Sequence, residues 1–181
     1  MHAEGGVWTT LFGLLLWDVL FAPLPDVFLT PFQTAPLDLA TDAFFPQRQP
    51  LIVARLAEIE GGEAPSLLRH VWAEQEGRWC RGVNWERHSC AELSLIACCV
   101  GGKGLAAVCR VLAEDYSGWG GGMPDLLLWR VATAEAKVVE VKGPRDRLSD
   151  QQRAWLGELG RAGIQTEVAK VVETEELLNK K

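Results

Sequence analysis

The run Val138-Val139-Glu140-Val141-Lys142 constrains this chain more than any other stretch. Valine favours the pleated, half-buried surface of a strand, and strand side chains alternate between two faces. Glu140 and Lys142 therefore share one face, with Val139 and Val141 expected on the other, in a core. A carboxylate among valines is costly unless it finds a partner. Two partners suggest themselves. One is Lys142. The other is a metal ion held jointly with Asp125, at the mouth of the preceding apolar run Leu126–Trp129. A polar connector joins the two runs into a hairpin. Gly118 and Gly120–Gly122 let the backbone approach closely and take unusual dihedrals ahead of it. Pro124 removes a donor and places Asp125 at the strand entrance, and Gly143-Pro144 ends the second strand. The same residues also fit an edge hairpin with a solvated Glu–Lys face.

The flanks extend this unit. Ser149 is a plausible cap for a helix from about Asp150 to Ala162, closed by Gly163. Its inner face carries Gln152, Trp155, Leu156 and Leu159; a glutamine there, one element after Glu-X-Lys, suits an active-site contact and is a candidate contact to the substrate backbone, while a partly exposed polar residue accounts for it equally well. Thr166–Val172 reads as the last strand. Lys142, Arg145 and Arg147 form a basic strip beside the hairpin, extended by Arg153 and Arg161. A solvated loop accounts equally well for Arg145.

Upstream, the chain reads as helical. Thr9 to Phe21 is expected to be a helix apolar on most sides, hence buried on most sides, capped by Thr9 or Thr10 and ended by Pro23 and Pro25. Its apolar core is too short to span a bilayer, which takes about 20 residues. It has no basic leader segment, and Asp18 interrupts it. Residues 26–42 are irregular, with Asp42 as a turn cap. Residues 50–116 carry helical periodicity at Ile52, Leu56 and Ile59, at Leu68, Val71 and Trp72, and at Leu105, Val108, Cys109 and Leu112. Gly61-Gly62, Gly77 and Gly101-Gly102 punctuate this block, with a further helix expected over 85–100. His70 and His88 read as structural or surface residues.

The 181 residues suffice for one domain with a real core. The five cysteines lack any Cys-X-X-Cys spacing, which excludes a disulfide framework or a zinc site and points to buried, reduced thiols. The net charge of −6 argues against a free-standing, tight nucleic-acid binder. It is compatible with a site that uses carboxylates to hold metal. The expected architecture is α/β: a mixed sheet flanked by helices over residues 1–175, with an all-helical insertion at about 50–116 and a loose tail at 176–181.

The Pro-Asp of GGMPDLLLW and the Glu-X-Lys of VVEVKGPRDRLSDQQRAWLGEL resemble the PD-(D/E)XK nucleases. The same phrases resemble the VRR-NUC domain of the Fanconi-associated nuclease family, as do HAEGGVWTTLFGLLLWD, PDVF, PLDLATDAFF and AEQEGR, in that family's order. The resemblance implies a restriction-endonuclease-like core and a module whose DNA-binding segments lie upstream in the full-length relatives. It implies Glu4 as a further metal ligand, the Val141 carbonyl as a neutral one, and Gln33 as an active-site glutamine. It also implies Mg²⁺ or Mn²⁺ as cofactor, branched 5′-flap DNA and crosslink-repair proteins as partners, 5′-flap and 5′-to-3′ exonuclease activity leaving 5′-phosphates, and interstrand crosslink repair in the nucleus. Asp38 and Asp42 match a phrase of the family without a chemical role.

These residue types suit phosphodiester hydrolysis. Mg²⁺ prefers a few carboxylates plus water, and Asp125 and Glu140 supply carboxylates. Lys142 would position or deprotonate the attacking water, or stabilise the transition state. Three alternatives stay open from the residues: a nuclease fold that binds without cutting, a junction-resolvase-type nuclease, and a plain structural module.

Overall fold

A computed structural model describes residues 6–172. Glu4, and the tail from Glu173, lie outside the described residues.

The helical half comes first: α1 (Gly6–Leu15), α2 (Trp17–Leu20), α3 (Phe44–Glu58), α4 (Ala64–Gln75), α5 (Cys90–Glu114) and α6 (Tyr116–Trp119). The sheet half follows: β1 (Leu126–Arg130), β2 (Glu135–Lys142), α7 (Asp150–Arg161) and β3 (Gln165–Lys170). Among the described residues the sheet has three strands in the order β1-β2-β3. β1 pairs antiparallel with β2, Leu126 facing Val139 and Arg130 facing Glu135. β2 pairs parallel with β3, Glu140 facing Val168. A parallel neighbour needs a crossover, and α7 supplies it.

Helix α5 is the hub. It packs against α1, α3 and α4 on the helical side and against β1, β2 and α7 on the sheet side. A helix so placed must be apolar nearly all round, and Leu93, Ile96, Leu105, Val108 and Leu112 are all buried. The expected break at Gly101-Gly102 is present: Gly101 leaves helical dihedrals, with φ +79° and ψ 158°, and kinks α5 into two helical stretches. The reason for the second glycine is contact. A Cβ on Gly102 would lie 2.5 Å from the Ile59 carbonyl oxygen, so the turn joining α3 to α4 sits directly on the α5 backbone. The helix expected over 85–100 starts later, at Cys90. Ser89 caps it, its hydroxyl accepting from Glu92 N at 3.2 Å.

The first helix starts earlier than expected and breaks at Leu16. Thr9 and Thr10 do not cap it. The Thr10 hydroxyl is buried, donates to the Gly82 carbonyl at 3.2 Å and accepts from Asn84 N at 3.2 Å, tying α1 to the segment before α5. Helix α3 begins at Phe44 and carries Pro50 internally. Asp42 caps nothing. The Thr41 hydroxyl accepts from Ala43 N at 3.3 Å and donates to the Asp38 carbonyl at 2.8 Å.

Asp38, silent in the sequence, proves structural. Its carboxylate meets Arg48 Nη1 at 2.6 Å, and the Arg48 side chain is wholly buried. Arg48 Nε also donates to the Val19 carbonyl at 3.2 Å, and its guanidinium lies 4.5 Å from the centre of the Phe44 ring. This one cation joins α2, α3 and the irregular segment between them. Asp38 Oδ1 and Arg48 Nη2 are buried without partners among the described residues.

The orientation of the sheet overturns one expectation. Val138, with Leu127 and Ala136, faces the main core, and Glu140 lies on that same face. Val139 is buried on the opposite face, outside that core, and Val141 is only half-buried. The apolar layer of α5 covers the Glu140 side because Val138 and Leu127 sit opposite each other there.

Replacing Asp38 with alanine strands a buried guanidinium. It is expected to reduce unfolding free energy by about 3–5 kcal/mol, read by guanidinium denaturation. All five cysteines are free, but they are not all buried as expected: Cys98 is exposed and Cys90 half-buried. Burial pushes the Cys80 and Cys109 thiols up to about 12. Thiol titration at pH 8 should therefore label Cys98 in the native protein, and Cys80 and Cys109 only after unfolding.

Candidate functional site

The site is built where β1 begins and β2 ends, side by side in the antiparallel pair. Continuing their register one step beyond Leu126–Val139 sets Asp125 opposite Glu140. Residues directly opposite on an antiparallel pair hold their Cβ atoms about 4.5–5.5 Å apart on one face. The Asp125 carboxylate closes the end of the ladder itself: Val141 N donates to its Oδ2 at 2.8 Å. Its other oxygen has no partner among the described residues.

Glu140 is 1% exposed. Its two oxygens are in different situations. Lys142 Nζ lies 2.9 Å from Oε1, and Gln152 Nε2 donates to the same atom at 2.5 Å. Oε2 is buried with no hydrogen-bond partner among the described residues. Lys142, from the same strand face, is itself largely buried. Glu140, with its bare oxygen, thus meets the Lys142 ammonium on the strand face to which the register also assigns Asp125.

Helix α7 holds both halves of this arrangement. Ser149 and Gln152 form a capping box: the Ser149 hydroxyl accepts from Gln152 N at 3.1 Å, and Ser149 N donates to Gln152 Oε1 at 3.0 Å. Trp155 is buried and its indole N–H is shared between the carbonyls of Trp119, at 3.1 Å, and Gly121, at 3.0 Å. Gln151 Nε2 donates to the Gly118 carbonyl. The glycine-rich loop before Asp125 is therefore laced to α7. Gly122 has a φ of +68°, and a Cβ there would stand 2.8 Å from Gln151 Cγ, so a side chain is excluded on two counts. Asp115 fixes the other end of the loop, accepting from Gly118 N at 2.7 Å.

Of the residues singled out from sequence, the structure brings together Asp125, Glu140, Val141, Lys142 and Gln152. Gln152 serves Glu140: both ends of its amide are engaged within the protein, so it is not a free contact for a substrate backbone. Arg145 and Arg147 are exposed beside the site and carry no ion pair among the described residues. Arg153 and Arg161 pair within α7, with Asp150 at 2.8 Å and Glu158 at 2.7 Å. Gln33 stands apart. Its amide accepts from Leu29 N at 2.5 Å and Thr30 N at 3.0 Å and donates to the carbonyls of Val27 at 3.0 Å and Ala35 at 3.4 Å, so it organises its own loop. It also lines an apolar groove of about 1180 Å³ with Phe28, Phe32 and Trp79, which includes none of Asp125, Glu140 and Lys142. Among the described residues no three metal-ligating side chains gather; Glu4, the third expected carboxylate, lies outside them. His88 is buried and its Nδ1 lies 3.2 Å from the Glu92 carboxylate, while His70 is exposed.

Sequence reasoning missed the loop's supports. The Ser-X-X-Gln spacing of the capping box was visible in principle. Trp155 as a clamp on two carbonyls was not, because its partners lie more than 30 residues away. Asp146 was also missed: it accepts from Gly143 N at 3.1 Å and shapes the turn that carries Arg145.

The chain is similar to known proteins in sequence and in fold. The VRR-NUC domain matches residues 60–173. A Fanconi-associated nuclease 1 homolog from Oryza sativa subsp. japonica is 53% identical over 94% of the chain, and Fanconi-associated nuclease 1 of Homo sapiens is 46% identical over 95%. The chain spans less than a fifth of their length, 18% and 17% respectively. The aligned part is the C-terminal nuclease module of those proteins. Among solved structures, paFAN1 bound to DNA with a 2-nucleotide 5′ flap and a gap superposes with a TM-score of 0.82 at 33% identity, over 96% of this chain and 32% of that one. The chain belongs to the VRR-NUC domain family.

Proposed function

We propose that this chain is the hydrolytic module of a metal-dependent, structure-selective DNA nuclease with a PD-(D/E)XK core. The observation that carries the reading is Glu140. Its carboxylate is buried, with one oxygen saturated by Lys142 and Gln152 and the other bare, directly across from Asp125. A buried carboxylate oxygen without a donor is unfavourable by about 1–3 kcal/mol or more. A divalent cation is the partner that fits it. Asp125, Glu140 and the Val141 carbonyl would hold Mg²⁺ or Mn²⁺, with Glu4 as a further ligand by family likeness. Such an ion, when bound, supplies Lewis-acid stabilisation of phosphoryl oxygens and a more acidic water.

The chain's own groups do the rest. Lys142 presents its ammonium beside Glu140, where it orients the attacking water or meets charge developing on the phosphate. Gln152 holds the Glu140 carboxylate in one rotation. The glycine loop brings backbone close to Asp125 without side chains in the way. Arg145 and Arg147 are free to meet phosphates.

The finer reading follows the relatives, whose names and whose DNA complex with a 5′ flap support it. In that reading the module cleaves 5′ flaps and trims 5′ to 3′, leaves 5′-phosphates, and works in the nucleus in interstrand crosslink repair. With a net charge of −6, tight DNA binding would come largely from upstream segments and partner proteins.

Asp125→Ala and Lys142→Ala, assayed on 5′-flap DNA with Mg²⁺ in a protein that joins this chain to upstream DNA-binding segments, should each lower the cleavage rate by about 100-fold or more. Lys142→Ala should leave the flap-DNA dissociation constant nearly unchanged. Cleavage at the unsubstituted rate by the Asp125 variant overturns the assignment.

A further inference from the structure

We propose that the Ser149–Gln152 capping box is a positioning device for Glu140, one that selects which carboxylate oxygen is offered to a divalent cation. The inference rests on the metal site proposed above and adds a residue pair to it.

A capping box ordinarily does one thing: it satisfies free N–H groups at a helix start. Here the same side chain has a second engagement. An amide has an acceptor at one end and donors at the other. Ser149 N–H can only donate, so it takes Gln152 Oε1, at 3.0 Å. That fixes the amide's rotation and turns Nε2 toward Glu140, where it donates to Oε1 at 2.5 Å. Lys142 Nζ approaches the same oxygen at 2.9 Å. Two donors on Oε1 leave Oε2 bare, and the bare atom is the buried one with no partner. The carboxylate is thereby held with a single oxygen presented.

Glutamine is required for this. Glutamate completes a capping box equally well, but it would turn a second carboxylate oxygen toward Glu140, where a donor is needed. Methionine matches the length and offers neither donor nor acceptor. The two substitutions therefore separate capping from positioning. Gln152→Glu keeps the box and loses the donor; Gln152→Met loses both. Gln152 touches Glu140 rather than any substrate atom, and Ser149 acts through Gln152, so both are positioning residues.

The test is Mn²⁺ binding to the isolated chain, followed by calorimetry and by the electron paramagnetic resonance signal of free Mn²⁺. Partners that orient a ligand from behind typically contribute about 10–100-fold to metal affinity. Both Gln152 variants are expected to weaken Mn²⁺ by about that factor, and Gln152→Glu to do so with the helicity of the unsubstituted protein. Gly163→Ala is the control. It strains the end of α7, where φ is +89°, without touching Gln152. It should lower the melting temperature and leave Mn²⁺ affinity unchanged. Unchanged affinity in both Gln152 variants overturns the positioning role and leaves the metal site standing. Equal weakening by Gly163→Ala overturns it too, because general loosening of α7 would then account for the loss. Absence of any Mn²⁺ binding that Glu140→Ala abolishes removes the metal reading itself, and the inference with it.

Discussion

A carboxylate shut away from water, saturated on one oxygen and bare on the other, is the constraint the sheet half of this molecule is built around. Its desolvation is unfavourable by several kcal/mol in real proteins. Lys142 offsets part of that from the same strand, two residues on, at 2.9 Å. That pairing is local and needs only the strand's alternation. The second donor, Gln152, is not local: it exists only when α7 has formed and packed. Glu140 is therefore tolerated in the core only once the βαβ unit is complete. The bare Oε2 is what packing alone does not explain, and a residue kept in an unfavourable state by an otherwise well-satisfied surround is the usual mark of function.

The same helix secures the other carboxylate from a distance. Trp155 and Gln151 grip the carbonyls of Gly118, Trp119 and Gly121, and the chain leaves that loop directly into Asp125. One face of α7 thus sets Glu140 by contact and Asp125 by anchoring what precedes it. The T-shaped contact of Trp119 on Trp155, centroids 5.0 Å apart, fills the space between loop and helix. Rigid elements holding both acids are what a preorganised site requires. Arg48 performs a comparable task in the helical half, where one buried cation joins three segments.

What was readable in the sequence was local. The hairpin, the Ser149 cap, the extent of α7 and the sharing of one face by Glu140 and Lys142 all follow from short-range periodicity and capping. The choice of which face met the core did not, because that depends on where α5 lies, and nothing within the strand encodes it. Valines at 138, 139 and 141 permit either side. Gly101-Gly102 was legible only in part: Gly101 supplies the helix break that the pair signals, whereas the use of Gly102 to seat another backbone against α5 depends on a distant segment. Asp38 gained a role only when Arg48 came to meet it. Gln33, which the family likeness places in the active site, spends its whole amide on its own loop.

Net charge alone does not say what a phosphate would meet at this site; the local pairing pattern does. A chain of net charge −6 repels a polyanion as a whole. Screening limits that repulsion to about 8–10 Å at physiological salt, so what a phosphate meets is set by its near neighbours. Around the site those neighbours are sorted. Asp150 and Glu158 are occupied by Arg153 and Arg161 along α7. Asp146 is turned to Gly143 N. Arg145 and Arg147 alone in this strip are left exposed and unpaired among the described residues. The edge beside Lys142 thus carries two exposed arginines without an ion pair among the described residues, next to the carboxylates of the site. Such an edge suits a module that has a strand delivered to it rather than one that captures DNA unaided, because two free arginines release too few counterions for tight binding on their own.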